Sequence, residues 1–269
     1  MASIRELTQP TPSARNRAVV VTKSRLPVLD QCERRVAWRA LYGIPRDDGH
    51  DTDRHDSRYG RHFHEAIAAA LLSSDPDAAF RTAVISMPES ESSDLLSYWE
   101  QHLSLVEAEP HPVTVRDTEY PVGATWVLPG PDLNTKTGEL REDLVAVVLL
   151  GFTDAVGREA SGLPAVIDHK TGANTLVPFE TELYAVGAAL LLNANKVAVH
   201  RHQLTLGQDP ACDRIVFDEA KLQTARELLA ERAARIAAWH PTDALDPSFH
   251  VNPSWCGACE FRERCENYR

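Results

Sequence analysis

The stretch Pro164-Ala165-Val166-Ile167-Asp168-His169-Lys170-Thr171-Gly172 decides how this chain is interpreted. Its apolar first part is rich in residues that favour strands and is followed by a turn glycine, so it predicts a strand over 164–169. Side chains alternate along a strand, and Asp168 and Lys170 at its end therefore share one face. A carboxylate is a ligand for Mg²⁺ or Mn²⁺, and a neighbouring lysine can orient a water or stabilise charge on a phosphoryl group. Taken alone, an Asp-x-Lys pair is more often a solvated ion pair.

A second carboxylate strengthens the catalytic interpretation. Gly151-Phe152-Thr153-Asp154 ends the preceding predicted strand and places Asp154 at the same kind of position as Asp168. Two carboxylates and a lysine on adjacent strands are the groups that metal-assisted phosphodiester hydrolysis requires. The sequence therefore predicts one site built from two strand ends.

The order of the predicted elements favours an α/β fold. Helical periodicity dominates the first third of the chain, and runs rich in Val, Ile and Thr follow it. The predicted helices lie at 29–42, 60–72, 75–87, 90–107, 179–193 and 217–239. The predicted strands lie at 112–122, 125–128, 143–156, 164–169 and 197–206, and the tail from 240 onward is predicted as loop. We expect a flexible arm at 1–22 and one domain over 23–269, with a mixed central sheet flanked by helices.

These motifs resemble those of the PD-(D/E)xK nucleases of the RecB type, and among them the CRISPR-associated and phage exonucleases that carry a four-iron four-sulfur cluster. The resemblance covers nearly everything after residue 25 and implies a restriction-endonuclease-like core. It rests on Gly60 to His64 on an early helix, Gly151 to Asp154, Val166 to Gly172, and Glu180 to Tyr184. The last motif departs from the family, which usually has Gln at the position of Glu180.

The resemblance also implies a role for each site residue. His64, Asp154, Asp168 and the backbone carbonyl of His169 would ligate Mg²⁺ or Mn²⁺. Lys170 would position the nucleophilic water, and Tyr184 would steady the site or contact DNA. His64 lies four residues after Gly60, so both would share one face of a helix.

Four cysteines predict that the two ends of the chain meet. One lies near the start and three near the end with the spacing C-x2-C-x5-C; they are Cys32, Cys256, Cys259 and Cys265. Cysteines clustered in this way fit metal ligation in a reducing compartment better than a disulfide framework. One distant cysteine plus a terminal triplet favours a 4Fe-4S cluster over zinc. The cluster-binding segments would be about 28–42 and 252–269.

Three further candidate ligands receive no functional role from the sequence. Cys212, the fifth cysteine, is interpreted as a plain core or surface thiol. His200 and His202 are interpreted as ordinary half-buried histidines, which is the common environment of this residue type.

Composition limits the cellular setting. The 269-residue chain has no apolar run long enough for a membrane span and no secretory signal at its N-terminus, so we expect a cytoplasmic protein without a membrane partner. Its net charge of −11 argues against broad nonspecific binding to nucleic acid. Substrate affinity should therefore be modest and sensitive to salt, or should depend on a partner that delivers the DNA.

The favoured function is a metal-dependent exonuclease acting on single-stranded DNA ends in recombination, repair or phage replication. It could work beside a helicase or a recombinase. A CRISPR adaptation nuclease, which would trim spacer precursors beside an integrase, is an alternative that the same residues fit. An alternative from another class is a noncatalytic nucleic-acid-binding module stabilised by a metal cluster.

Overall fold

The computed structural model of the chain describes residues 17–44, 55–85, 87–133, 140–172, 179–239 and 249–266. We number the elements in chain order. The strands are β1 (Arg17–Thr22), β2 (Val113–Leu133), β3 (Leu140–Glu159), β4 (Pro164–Thr171), β5 (Val197–Leu204) and β6 (Ala211–Phe217). The helices are α1 (Leu26–Gln31), α2 (Glu33–Ala40), α3 (His55–Leu71), α4 (Pro76–Val84), α5 (Glu89–Ala108), α6 (Glu180–Leu191), α7 (Glu219–Ala237) and α8 (Arg262–Glu266). Short 3-10 helices cover Lys23–Arg25 and Pro253–Ala258.

The six strands form one mixed sheet built around the long strand β3. Strand β2 pairs antiparallel along one edge of β3. On the other edge of β3, β1 runs parallel to residues 145–150 and β4 runs antiparallel to residues 155–158. Strand β5 is parallel to β4, and β6 closes the sheet antiparallel to β5. The chain crosses from β4 to β5 through α6, as parallel neighbours require. The predicted α/β class with a mixed central sheet flanked by helices is confirmed.

Two apolar cores cover opposite faces of the sheet. Helices α6 and α7 pack on one face, and their core includes Val197 and Val199 of β5. Helices α3, α4 and α5 form a second core that includes Leu204 of β5. Since side chains alternate along a strand, Leu204 points to the face opposite Val197 and Val199. The sheet therefore separates a helical N-terminal layer from the α6–α7 layer.

Helix α6 approaches the sheet very closely because of one glycine. A Cβ atom at Gly187 would lie 2.6 Å from the backbone nitrogen of Gly123 on β2 and 2.9 Å from Cβ of Val122. Real Cβ atoms do not make such contacts, so only glycine fits at this crossing. The N-terminal part of α6 lies beside the end of β4 and Phe152 of β3, where Glu180 contacts Lys170 and Tyr184 contacts the carbonyl of Phe152.

The predicted flexible arm at 1–22 is wrong at its C-terminal end. Residues 1–16 lie outside the described residues, but Arg17–Thr22 form β1. Val19 and Val21 are fully buried in the core shared with α6 and α7. The predicted helix at 29–42 is also two helices, because Cys32 between them has an extended backbone.

The structure also revises the predicted end of the chain. Residues Ala211–Phe217 form β6, and α7 then begins at Glu219, capped by the Asp218 carboxylate, which accepts from the backbone N–H of Lys221 at 3.0 Å. Part of the predicted terminal loop is helical, over Pro253–Ala258 and Arg262–Glu266. Within the part of the chain that the structure describes, no helix is both long and apolar enough to cross a membrane.

Candidate active site

Asp154 lies inside β3, which continues to Glu159, so the prediction that it ends its strand is wrong. An open cleft of about 510 Å³ lies beside it, at the C-terminal end of β4. Its walls come from five separate parts of the chain. These are α3, β2, β3, β4 and the residue that directly follows β1. The walls include Lys23, His64, Glu119, Asp154, Lys170 and Thr171. Gly60 lies one turn before His64 on α3, and a Cβ atom there would be 3.6 Å from Oγ1 of Thr171, so the helix runs directly beside the end of β4.

Asp154 is a buried carboxylate with three nitrogen partners, one of which is Nδ1 of the His169 ring, 3.4 Å from Oδ2. Nδ1 of His64 lies 2.9 Å from Oδ1 of Asp154, and the backbone N–H of His169 donates to Oδ2 at 2.5 Å. Burial by itself would raise the pKa of Asp154, but the contacts with His169 and His64 outweigh it and hold the pKa well below its usual range. Asp154 is therefore charged at neutral pH. The same pairing raises the pKa of His64 in spite of its burial.

Asp168, on β4, has a different environment. Nζ of Lys170 lies 2.9 Å from its Oδ2, and the Tyr184 hydroxyl donates to Oδ1 at 3.1 Å. Burial raises the pKa of Asp168; Lys170 opposes the rise, and the neighbouring charges of Asp154 and Glu180 add to it. Two carboxylates that destabilise each other's charge in a buried cleft form a site that attracts a cation.

Lys170 lies between two carboxylates, as a charged ammonium. Its Nζ is 2.9 Å from Oε1 of Glu180 as well as in contact with Asp168. Burial would lower the pKa of Lys170, but Asp168 and Glu180 raise it above its ordinary value. Lys170 is therefore protonated at neutral pH and can act electrostatically or as a hydrogen-bond donor, but not as a base.

Glu180 and Tyr184 lie one turn apart on α6 and contact Lys170 and Asp168 of the site. The Tyr184 hydroxyl lies 2.9 Å from the carbonyl oxygen of Phe152 and 3.3 Å from Oε1 of Glu180. Burial, with the charges of Asp168 and Glu180, raises the pKa of Tyr184 well above its usual value, so the hydroxyl stays protonated. Glu180, where the resemblance leads one to expect Gln, thus has a defined place as an ion-pair partner of Lys170.

The structure adds two residues that sequence reasoning missed. Lys23 follows β1, and its Nζ lies 2.8 Å from Oε1 of Glu180, 3.7 Å from Oδ1 of Asp168, and close to the Tyr184 hydroxyl. Glu119 of β2 has its carboxylate within 4.8 Å of the ligand atoms of His64 and Asp154. The β-branched residues before Lys23 indicate a strand that leads up to it. No pattern in the sequence indicates that Glu119 belongs to the site.

Glu119 is held in an unusual backbone conformation. Its φ of +49° lies in the left-handed region, which residues other than glycine rarely adopt and which costs about 1–3 kcal/mol. Burial raises the pKa of Glu119, and Asp154 adds to the rise. A strained backbone that aims a carboxylate into a cleft is typical of a functional position.

The structure brings the predicted site residues together, but Asp168 is not in the same group of candidate metal ligands as His64 and Asp154. His64 and Asp154 lie together with Glu119 as three ligand atoms within 4.8 Å, a set of oxygen and imidazole donors that fits a divalent cation. Asp168 contacts Lys170 and Tyr184 and is not part of this set of three. The ring of His169 lies fully buried, beside the rings of Phe63, His102 and His202. Its proposed contribution to the metal is the backbone carbonyl alone.

Comparison with known proteins matches this arrangement to one family. The model of the PD-(D/E)XK nuclease superfamily matches residues 20–266. The chain belongs to the PD-(D/E)XK nuclease superfamily. No curated protein matches it. Among solved structures, SSO0001 is similar at 16% identity with a TM-score of 0.35, over 98% of this chain and 91% of that one. A Eubacterium rectale protein provisionally named an exonuclease is similar at 11% identity with a TM-score of 0.40, over 76% of this chain and 79% of that one.

The two ends of this PD-(D/E)XK nuclease meet at Cys32, as predicted. Cys32 forms a β-bridge with Val251. The backbone N–H of Glu33 donates to the carbonyl of His250 at 2.8 Å, and the N–H of Asn252 donates to the carbonyl of Gln31 at 3.1 Å. These bonds join the segment between α1 and α2 to the chain just before the terminal cysteines.

We call Cys32 and the three terminal cysteines the clamp, and Cys32 lies within electrostatic reach of each of the other three. Burial raises the pKa of the Cys32 thiol, and the thiols of Cys265 and Cys256 add to the rise. Burial likewise raises the pKa of Cys259, and Cys32 contributes. Nη1 of Arg34 lies 3.9 Å from Sγ of Cys265 and supplies a positive charge beside the sulfur. The donor set is thus four soft, half-buried sulfurs, which fits a metal that prefers thiolates.

Proposed function

We propose that this protein is a Mg²⁺- or Mn²⁺-dependent deoxyribonuclease that degrades single-stranded DNA from its ends. The observation that carries the proposal is the position of Lys170, held as a charged ammonium between Asp168 and Glu180 beside the second buried carboxylate, Asp154. A buried ion pair of this kind contributes little to stability relative to well-packed apolar residues, so its presence in an open cleft favours a catalytic use.

Each residue of the site would have a separate role in hydrolysis. His64, Asp154, Asp168 and the carbonyl of His169 would hold the divalent cation, and Glu119 is an additional candidate ligand. When bound, the cation would polarise a phosphoryl oxygen and lower the pKa of a bound water. Lys170 would orient the attacking water and balance charge as it develops on the phosphoryl group. Tyr184, whose hydroxyl stays protonated, would keep Asp168 in place by hydrogen bonding.

The charge of Lys170 has a consequence for the mechanism. Since the pKa of Lys170 is raised, lysine cannot take the proton from the water at neutral pH. Activation of the water would therefore rest on the cation and its carboxylates, and Lys170 would contribute orientation and electrostatics.

The clamp is proposed to hold a 4Fe-4S cluster rather than zinc. The support is the donor set of four sulfurs, one distant in sequence and three in a terminal triplet, around which the backbone already joins the two ends. Such a cluster would close a loop of more than two hundred residues and stabilise the fold.

Delivery of the substrate is proposed to involve a partner. The net charge of −11 gives the chain little long-range attraction for DNA. A helicase, recombinase or integrase that presents a single-stranded end would remove that limitation. Binding of the isolated protein to DNA should be weak and should fall as salt is raised.

The decisive experiment measures degradation of end-labelled oligonucleotides by anaerobically purified protein in Mg²⁺, Mn²⁺ or EDTA. Substrates are single-stranded DNA, blunt duplex DNA and RNA, each labelled at either end. Lys170→Ala is compared with Lys196→Ala, which removes an exposed lysine in the turn before β5. We expect metal-dependent loss of single-stranded DNA by the wild type and by Lys196→Ala, and a loss of activity of at least about 100-fold in Lys170→Ala.

The remaining outcomes of this experiment would refute the mechanism or change the proposed function. Activity in EDTA, or equal activity in Lys170→Ala and wild type, would refute the mechanism. RNA degraded in preference to DNA would replace the substrate class. No cleavage by folded protein under any of these conditions would favour a noncatalytic nucleic-acid-binding module instead.

A further inference from the structure

A second cluster of metal-ligand side chains lies behind the candidate active site. His200 and His202 of β5 project from one face of the strand, because they are two residues apart. Cys212 of β6 is the antiparallel partner of His202 and shares that face. Glu109, the C-terminal cap that follows α5, completes the set. One ligand atom from each of these four residues lies within 4.8 Å of every other.

We propose that these four side chains form a structural zinc site with one thiolate, two imidazoles and one carboxylate. Structural zinc is four-coordinate and tetrahedral and takes cysteine, histidine and acidic ligands. Sγ of Cys212 lies 3.9 Å from Nδ1 of His200. In tetrahedral zinc coordination a sulfur and a nitrogen are about 3.6 Å apart, so a shift of a few tenths of an ångström brings this pair into place.

One of the ligands already has an outer partner. Nε2 of His200 lies 2.9 Å from Oε1 of Glu159, which leaves Nδ1 facing Cys212. Glu159 is itself fixed by Arg214, whose Nε and Nη2 donate to the two carboxylate oxygens at 2.7 and 2.9 Å. Metal-bound histidines commonly use their other ring nitrogen in this way, with a carboxylate that sets the ring orientation.

His202 supplies an independent indication of a ligand. It is only 3% exposed, yet neither of its ring nitrogens has a hydrogen-bond partner among the residues that the structure describes. Leaving a buried polar group unsatisfied costs about 1–3 kcal/mol. A metal ion bonded to one of these nitrogens would remove that cost.

Charge balance and solvent access favour these four side chains as the zinc site over a neighbouring group of three histidines. His102, His169 and His202 also lie within 4.8 Å of one another, but all three are buried and a metal-binding imidazole carries no charge, so a divalent ion there would bring two uncompensated charges into the interior. The proposed set contains a thiolate and a carboxylate, which together neutralise Zn²⁺. Glu109 and Cys212 also line an open pocket of about 450 Å³, which gives the ion an entry path.

The proposed ion would tie the end of α5 to the β5–β6 hairpin. Its position also matters for the cleft, since the rings of His202 and His169 are in edge-to-face contact with centroids 5.1 Å apart. His169 is the middle residue of Asp168-His169-Lys170. A zinc ion bound to His202 would therefore support the strand that carries the catalytic residues from the opposite face of the sheet.

The test compares zinc and iron content of four purified proteins after saturation with Zn²⁺ and dialysis. Cys212→Ser and His200→Asn each remove a proposed ligand. His111→Asn removes a histidine that lines the same pocket but is outside the set of four, and serves as the matched control. We expect Cys212→Ser and His200→Asn each to lose about one zinc ion per chain relative to wild type and His111→Asn, with iron content unchanged in all four. Iron reports on the terminal cysteines and separates the two metal sites.

A thermal unfolding measurement on the wild type covers the case in which a variant does not fold. Chelation of zinc should lower the melting temperature of the wild-type protein and re-addition of Zn²⁺ should restore it, while iron stays bound. Equal zinc content in wild type and Cys212→Ser, or a wild-type melting temperature that does not change with chelation and re-addition, would overturn the proposal.

Discussion

Lys23 is the cation that the sequence did not reveal, and Lys23→Met tests whether it stabilises the site. The substitution keeps most of the aliphatic chain and removes the ammonium that lies 2.8 Å from Glu180 and 3.7 Å from Asp168. Lys170 still contacts both carboxylates afterwards. The variant therefore removes one of two positive charges from a cleft whose buried carboxylates remain.

The structure sets the size of the effect. Charges separated by 2.8 Å attract by about 6 kcal/mol at an effective dielectric constant of about 20 and by about 1.5 kcal/mol in bulk water. The Lys23 side chain is 27% exposed, so water screens the pair, and ordering and desolvating the lysine offsets part of the attraction. We expect Lys23→Met to lower the free energy of unfolding by about 1–2 kcal/mol at neutral pH.

The effect should depend on pH in a defined direction. Burial would raise the pKa of Glu180, but Lys23 and Lys170 lower it below its ordinary value of 4.5. A carboxylate with a depressed pKa in the folded state stabilises the fold above its unfolded pKa, and this contribution is lost as the pH falls through the folded pKa. The difference between wild type and Lys23→Met should therefore be complete at neutral pH and shrink as the solution becomes more acidic than pH 4.5.

Urea unfolding followed by circular dichroism at about pH 7.5 and about pH 4 measures both quantities, with EDTA present so that no cation contributes. Lys196→Met, at an exposed position, is the matched control and should change stability by less than about 0.5 kcal/mol. Equal destabilisation of the two variants, or a loss in Lys23→Met that is the same at both pH values, would refute the reasoning.

Three further predictions concern the cation, the clamp and the packing of α6. Glu119→Gln should raise the Mn²⁺ concentration needed for half-maximal cleavage by about tenfold, whereas Glu65→Gln, in the same cleft, should leave it unchanged. Cys259→Ala should give colourless protein with a lowered melting temperature, and brown, fully active protein would contradict the cluster. Gly187→Ala should cost about 1–3 kcal/mol because its Cβ would meet backbone at 2.6 Å, while Gly60→Ala, with 3.6 Å of space, should be neutral or stabilising in urea unfolding.

Local periodicity was sufficient to predict most of the fold. Runs of strand-favouring residues located β4 and β5, and helical spacing located α3, α5 and α6, with their ends displaced by a few residues. Strand β6 was missed because its sequence, Ala-Cys-Asp-Arg-Ile-Val-Phe, does not alternate between polar and apolar residues, although its burial does. Strand β1 was assigned to a loose arm because four β-branched residues in an otherwise polar segment carry little local information.

The site residues likewise include some that the sequence predicts and some that it does not. The two-residue spacing of Asp168 and Lys170 places them on one face of a strand, and the helical spacing of Glu180 and Tyr184 places them one turn apart. These relations hold within one element, so the sequence contains them. Lys23 and Glu119 join the same cleft from β1 and β2, and the sequence alone has no local signal that relates residues so far apart.

The chain's sequence by itself determined the mixed α/β class, the two strand-borne carboxylates with their lysine, and the four-cysteine pattern. Each depends on short-range geometry: the repeat of a strand, the repeat of a helix, or the spacing of ligands. The tertiary structure decided which remote side chains complete each cluster, including Glu109 beside His200, His202 and Cys212. The physical reason is that sheet pairing and helix packing, such as the close approach of α6 at Gly187, set distances between elements, and those distances arise only when the whole core is assembled.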